Sequence, residues 1–459
     1  LIFVMAKTIF ISSFNPFILR NILVGDALKT LKESNDTRVV IFVPDYKADF
    51  FRREIGAANI TIEGIKTNQP PSGLDVAFRY LTSSLVDTST ILVNKRVQLD
   101  RDGRYLRFFI SWVLMKLFSR VLFFKKCVRR LDYFLIKKNY YSKYFSQYQP
   151  RLVFAADVFN DMDVYLLAAA RSQKTKTVGM IRSWDNFTTK GFFRIKPNYL
   201  LVHNEILKRE AVKYCDIARE CVVPVGMPQY DRYINGSRTS RGMFFEKLNF
   251  DPKRKLILFS PFGQRFTDTD WQVVEILKGF IESGEVPNAQ VLVRCTPNDQ
   301  VSLSGFVPNK YFYIDCPGRG FKEKSTRDQE LTNKDMDWLA DCLYHSDLIV
   351  AGGASIGIDA AHFGKPTVLI HFDGFEKKSY WQSVERFLEY QHPNAIIETG
   401  AMRSVKNSGE LRQGINDYLN NPMLDRSARE KMLLDQCWKL DGHSGQRIGI
   451  FLNSLLSNE

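Results

Sequence analysis

The sequence has no cysteine pair at a spacing that metals or redox chemistry use. Its seven cysteines are Cys127, Cys215, Cys221, Cys295, Cys316, Cys342 and Cys437. They are odd in number, scattered and free of C-x-x-C, which argues against a disulfide framework and for reduced thiols in the cytosol. No cysteine–histidine spacing reads as a zinc site. No G-x-G-x-x-G follows the first strand, so a dinucleotide fingerprint is absent there. No basic stretch leads into an apolar segment with a cleavage site, so no secretory signal is expected, and the sequons at Asn35, Asn59, Asn186 and Asn235 read as chance. The most apolar run, Phe108–Phe124, is broken by Lys116 and Arg120. Charges near mid-span cost several kcal/mol in lipid, so no spanning helix is expected.

What is present is a globular chain of 459 residues, 45% hydrophobic and 13% aromatic, which is too long for one ordinary core and suits two domains. Short apolar runs alternate with segments of helical period. In the first half, strands are expected at Lys7–Ser12, Val39–Val43, Arg151–Ala156, Thr177–Ile181, Tyr199–His203 and Val222–Val225, with helices at Phe17–Leu31, Asp161–Arg171 and Glu205–Tyr214. A linker rich in Gly, Ser and Arg runs from Asn235 to about Asn249. The second half repeats the pattern, with strands at Lys255–Ser260, Ala289–Arg294, Tyr311–Ile314, Leu348–Ala351 and Thr367–Ile370 and helices at Trp271–Ser283, Met336–Ser346 and Ile356–Phe363. Leu411–Leu419 and Ala428–Leu455 read as closing helices. Alternating strands and helices predict an α/β chain with two parallel sheets.

The densest signal for chemistry is Ser346–Asp373. A buried strand runs into Gly352-Gly353-Ala354-Ser355, then a helix, then Gly364-Lys365-Pro366 and a second buried strand. Loops at the carboxyl ends of parallel strands are where open α/β sheets take ligands. Two glycines let backbone N–H groups approach an anion, Ser355 fits a helix cap, and a helix N-terminus favours phosphate. Asp359 lies one turn further, on the face of Ser355, where it suits a ribose hydroxyl. A plain capped turn without a ligand fits the same residues. Gly263 and Arg265 sit in the loop after the Lys255–Ser260 strand, where a guanidinium suits phosphate. In the first half, Asp157 follows a strand end, and Arg182–Gly191 packs a tryptophan, a carboxylate, an amide, hydroxyls and a lysine into one loop. Asp161/Asp163, Asp268/Asp270 and Asp335/Asp337 have D-x-D spacing, but each pair starts a helix, which explains acidic residues without a metal.

The run Ser346, Asp347, Ser355, Asp359, Ala360, Gly364, Lys365 and Pro366 resembles the donor-nucleotide loop of two-Rossmann (GT-B) glycosyltransferases, with Asp359 where many carry Glu. Ser183-Trp184-Asp185-Asn186-Phe187-Thr188-Thr189-Lys190-Gly191 resembles a loop of bacterial surface-polysaccharide transferases of that architecture. Gly226-Met227-Pro228-Gln229-Tyr230-Asp231 resembles the run that closes their N-terminal domain. The resemblance implies two Rossmann-like domains facing a cleft, with C-terminal helices crossing back. It implies an acceptor domain over 1–235, a donor-nucleotide domain over 236–440 and a closing helix over 441–459. It places Gly263, Arg265, Thr296, Asn298, Gly352, Gly353, Ser355, Asp359 and His371 on the donor. Thr296 stands where relatives often carry His. Asn15, Trp184, Asn186 and Lys190 fall on the acceptor or sugar, and Asp157 and Asp185 are the candidate bases.

Arg101–Lys143 is the remaining anomaly: twelve basic residues against Asp102 and Asp132, so net +10 of the chain's +14 sits there, interleaved with aromatics that include Phe108, Phe109, Trp112, Phe118, Phe123 and Phe124. A helix on an anionic membrane surface fits, with aromatics toward the lipid and lysines toward headgroups. A solvated basic face is the plain alternative, and no recognised nucleic-acid motif supports the third. The expected function is metal-independent glycosyl transfer from a nucleotide-sugar, used as substrate with no cofactor, to a lipid-linked glycan acceptor at the cytoplasmic membrane face. A sugar-nucleotide 2-epimerase or polyol-phosphate transferase of the same fold is the alternative, and a non-catalytic membrane- or nucleic-acid-binding scaffold is the alternative of another class.

Overall fold

The computed structural model describes residues 7–457 except 35, 68–70, 298, 304 and 322–327. The chain forms two compact units. The first holds residues up to Leu92, Tyr105–Asp231 and the segment from Cys437 onward; the second holds Val93–Arg104 and Arg232–Gln436. Val93–Arg104 belongs to the second unit. There Asn94 accepts from the Tyr390 hydroxyl at 3.2 Å and Asp100 accepts from the Trp381 N–H at 3.0 Å.

The first unit is a seven-stranded sheet of β1 (Lys7–Ser12), β2 (Thr37–Pro44), β3 (Ile60–Ile65), β4 (Leu152–Ala155), β5 (Lys176–Met180), β6 (Tyr199–Val202) and β7 (Val222–Pro224). Their order is β3-β2-β1-β4-β5-β6-β7, every pair parallel. Val39–Val43 is fully buried, as strands covered by helices on both faces must be. Phe10 pairs in register with Val40 and Val153, and its ring meets Phe42 edge-on at 4.9 Å. The chain reverses direction across the sheet between β1 and β4, which makes that edge the switch point where such sheets bind ligands. β3, ITIEGI, escaped the sequence reading because its polar residues dilute the apolar run.

The expected helix Phe17–Leu31 is in three pieces: Pro16–Ile18, a π-turn at Leu19–Leu23, and Asp26–Lys32 after Gly25. Ala428–Leu455 is likewise two helices, Arg426–Cys437 and Ser444–Ser457, separated where Trp438 and Gly442 take positive φ of 66° and 70°. The last helix packs on Asp26–Lys32 through glycines. A Cβ on Gly449 would stand 2.5 Å from the Thr30 Cβ, and one on Gly445 3.0 Å from the Ala27 nitrogen. The Asp231 carboxylate accepts from the Ser444 and Gly445 N–H groups at 3.0 and 2.7 Å, holding that helix start. The final carboxylate of the Gly226–Asp231 motif thus anchors the chain's end. Gly449→Leu is expected to lower stability by about 1–3 kcal/mol through overpacking, measured by denaturant unfolding of the full chain.

The second unit has β8 (Lys255–Ser260), β9 (Ala289–Arg294), β10 (Phe312–Asp315), β11 (Leu348–Ala351), β12 (Thr367–Ile370) and β13 (Arg403–Val405). Their order is β10-β9-β8-β11-β12-β13, again all parallel, with the switch point between β8 and β11. β13, three residues long, carries too short a pattern to be read from sequence. A 3-10 helix at Val384–Glu389 follows β12. Among the described residues no helix is long and apolar enough to cross a membrane.

Candidate functional site

The loops at the switch point of the first unit assemble a buried polar cluster. Ser12 ends β1, and its hydroxyl accepts from the Ala156 N–H at 3.0 Å while donating to Asp163 Oδ1. Asp163 Oδ1 also accepts from the Asp157 N–H at 3.0 Å. Asp157, at the carboxyl end of β4, binds Arg182 Nη1 through Oδ2 at 2.8 Å. Both carboxylates are 1% exposed, so water screens neither. Arg182, just past β5, keeps its Nε buried without a hydrogen-bond partner among the described residues, as does the Ser13 hydroxyl. His203, just past β6, is buried with Nδ1 likewise unmatched, and burial pushes it down to about 4, so it is neutral.

Two carboxyl groups this close cannot both ionise cheaply. Burial, reinforced by the neighbouring Asp157 charge, raises Asp163 to about 8, whereas Ser12, the Asp157 N–H and Arg182 pull the other way. Asp163 therefore holds its proton at neutral pH while Asp157 faces a guanidinium. That is one proton donor and one ion-paired carboxylate in a single cluster, the arrangement from which acid and base roles are drawn. Helix position is a sufficient account of Asp161, which pairs with Arg79 and Arg194 at 3.3 and 3.1 Å. It is not sufficient for Asp163, at the third position of Asp161–Ser172, whose helix is already capped by Asn160. That redundancy was the available signal. Arg182, Ser12 and Ser13 were visible only as members of loops.

Of the other residues expected in this unit, Asn15 and Asn186 bond the backbone. The Asn15 side chain accepts from the Phe17 N–H at 3.0 Å. Asn186 is buried and accepts from the Arg182 and Ser183 N–H groups at 3.1 and 3.2 Å, so its amide oxygen shapes the loop that presents Arg182. Asp185 accepts from the Thr189 hydroxyl at 3.1 Å and is only partly buried. Trp184 is 9% exposed, packed rather than presented as an open platform. Gly191, at φ 93°, closes the loop against the Thr82 carbonyl, 2.4 Å from where a Cβ would stand. Lys190 points elsewhere, into a cavity of about 280 Å³ lined also by Arg79, Thr82, Phe159, Phe192 and Arg194.

The switch point of the second unit carries the loops expected to face a donor. Asp270, buried and pushed up to about 6 by that burial, accepts from the Phe262 and Gly263 N–H groups at 2.9 and 2.8 Å and fixes the loop after β8. Gly263 has φ 92°, and a Cβ there would meet the Asp299 carboxylate at 2.8 Å. Arg265 is exposed, its N–H donating to Asp299 at 3.0 Å. Across the switch point Gly352 and Gly353 differ. A Cβ on Gly352 would fall 2.4 Å from the Phe262 ring, so packing demands that glycine, whereas Gly353 faces open space. Ser355 is exposed as the first residue of Ser355–Ala361, and the cap is Ala354, so the expected capping role of Ser355 is corrected. Asp359 accepts from the Tyr233 hydroxyl at 2.5 Å, an anchor no spacing argument foresaw.

His371 is buried, its Nδ1 2.7 Å from the Ser404 hydroxyl, and burial with Lys406 nearby brings it down to about 4. It is neutral at physiological pH and cannot supply a proton as imidazolium. Thr296 follows buried Cys295 just past β9, and Asn298 lies outside the described residues. Arg386, not anticipated, is buried beside the β8 loop, donating through Nη2 to the Phe266 carbonyl at 3.0 Å, with Nε unmatched among the described residues.

No family model matches this chain, and no curated protein matches it. Solved structures match along nearly its whole length. A protein from Listeria monocytogenes assigned as a UDP-N-acetylglucosamine 2-epimerase superposes with a TM-score of 0.55 at 13% identity, covering 99% of this chain and 97% of that one. The UDP-GlcNAc 2-epimerase from Neisseria meningitidis, bound to UDP-GlcNAc, gives 0.52 at 12%, over 98% and 100%. A glycosyltransferase of kitacinnamycin gives 0.51 at 10%, over 97% and 98%. At such identities the likeness shows the fold alone: two Rossmann-like units, the GT-B architecture.

Proposed function

We propose that this protein is an enzyme acting on a nucleotide-activated sugar, and that it transfers the glycosyl group to an acceptor hydroxyl. The observation that carries the reading is the Asp157–Asp163–Arg182 cluster at the switch point of the first unit. A fold relative holds UDP-GlcNAc, which makes UDP-sugars the first donors to test. In the proposed reaction Asp157 accepts the proton of the acceptor hydroxyl, the hydroxyl oxygen bonds to the anomeric carbon, and the bond from that carbon to the diphosphate breaks. Arg182 orients Asp157. Within the second unit, the loop after β8 with the exposed Arg265 is the candidate seat for the nucleotide's phosphates.

One observation also favours 2-epimerisation. That reaction removes a proton and returns one, and Asp157 and protonated Asp163 form a pair able to do both. The test is a thermal-shift panel of UDP, CDP, GDP and CMP, followed by proton NMR of the matching sugar nucleotide. Saturating ligand at about 100 times its Kd adds about 2.7 kcal/mol of stability. Stabilisation by one nucleotide, with sugar transferred only when acceptor is added, is the expected result. Inversion at C2 without acceptor assigns epimerisation. No stabilisation by any nucleotide overturns both.

A further inference from the structure

The helices Tyr105–Phe118 and Leu122–Leu135 are built inside out. On the second, the polar residues Lys125, Arg129 and Asp132, spaced as one helical face, turn inward. Lys125 Nζ donates to the Tyr214 carbonyl at 3.2 Å, Arg129 Nε to the Phe193 carbonyl at 3.0 Å, and Asp132 takes Arg194 on both oxygens at 2.8 and 2.9 Å. The apolar side chains turn out: Tyr105 and Leu106 are 75% and 74% exposed, Phe109 60%, Trp112 42%, Phe123 68% and Phe134 77%. A solvent-facing helix shows the reverse, and so many large apolar groups on one pair of helices mark an interaction surface.

The charge around that surface names the partner. No acidic residue occurs from Gly103 to Leu131, and the next one, Asp132, is consumed by Arg194. Arg120, Lys126, Arg130 and Lys137 are exposed beside the apolar face. The acids that meet these helices are themselves paired, Asp87 with Lys116 at 3.0 Å and Asp216 with Arg129 at 3.5 Å. A second copy docked by two-fold symmetry would set these cations against themselves with no acid to answer. A bilayer rich in anionic headgroups answers both features, since apolar side chains enter the acyl boundary while lysines and arginines meet phosphates. Each helix has 14 residues, about 21 Å of rise, short of the roughly 30 Å a spanning helix crosses. We infer that the two helices lie in the plane of an anionic membrane surface and dock the first unit on it, whatever reaction the enzyme performs.

The full chain is tested by co-sedimentation with vesicles of phosphatidylcholine alone and of phosphatidylcholine with 30% phosphatidylglycerol. Binding to the anionic vesicles is expected, at least tenfold weaker without phosphatidylglycerol and weakened by 0.5 M salt. Phe109→Ser with Phe134→Ser is expected to weaken binding at least tenfold. R120E/K126E/R130E is expected to weaken it at least 100-fold, at about fivefold or more for each charge removed. Both variants alter exposed side chains, so an unchanged Tm keeps the comparison valid, and tryptophan quenching by brominated lipid that Trp112→Phe abolishes reports insertion should either unfold. No binding by the wild type overturns the inference. So does binding indifferent to the phenylalanine changes, or a dimer in sedimentation equilibrium that Phe134→Ser dissociates.

Discussion

Asp157→Asn is expected to lower turnover of the sugar nucleotide by about 100- to 10,000-fold, the range for loss of a positioned general base, while leaving nucleotide affinity within about twofold. The asparagine keeps the shape and can still accept from Arg182, but it cannot take a proton. Burial makes the effect interpretable: Asp157 is shielded from solvent, so no water replaces its charge. The change also leaves the Arg182 guanidinium without its counter-charge at 2.8 Å, and breaking a buried pair from one side costs about 3–5 kcal/mol. Stability must therefore be measured alongside rate. Arg182→Met separates the two roles. It strands the carboxylate instead, and a cycle with the double variant isolates the pairing energy from the proton-transfer function. A variant that is folded and retains a third of wild-type turnover would remove Asp157 from the chemistry and with it the proposed mechanism.

The alternation of buried strands with amphipathic helices was legible because parallel strands covered on both faces are largely apolar, and Lys7–Ser12, Lys255–Ser260, Ala289–Arg294, Leu348–Ala351 and Thr367–Ile370 have the bounds expected of them. β3 and β13 were not, being polar or short. The site divided along the same line. Asp157 and the Gly352–Ser355 corner follow strands that could be read, so their place at the carboxyl ends was legible. Asp163 was not, because its partner Ser12 lies 151 residues away and only the β1–β4 pairing brings them together. Gly352 looked like a phosphate glycine, yet the Phe262 ring already claims its missing side chain. Charge patterning found the basic aromatic helices, but which face turns outward depends on carbonyls at Phe193 and Tyr214, positions no local pattern reports.

Asp163→Asn is expected to stabilise the protein while impairing it, and the stabilisation should grow with pH. The folded carboxyl titrates near 8 against an ordinary 3.8. Above pH 4 the unfolded chain releases this proton and the folded chain keeps it, so the unfolded state binds fewer protons and stability falls as pH rises. The loss accumulates between about pH 4 and pH 8 and then levels off, because above 8 both states are ionised. At pH 7 it is on the order of 2–4 kcal/mol for a group this buried. Asparagine is neutral throughout, and its Oδ1 can accept from Ser12 and from the Asp157 N–H as the native oxygen does. The groups that face position 163 are Ser12 from β1, Asp157 after β4, Arg182 after β5 and, at longer range, Tyr141. Of these Asp157 alone carries a charge that opposes ionisation, so Asp157→Asn should itself bring the Asp163 transition to lower pH. Denaturant unfolding of wild type and Asp163→Asn at pH 5, 6, 7 and 8 reads the difference directly, and a gap that stays constant across that range would show that Asp163 is ionised like any surface carboxylate. If its proton also serves the reaction, wild-type turnover falls above about pH 8 and the more stable variant is the slower enzyme, a residue held against its own ionisation because the chemistry needs it so.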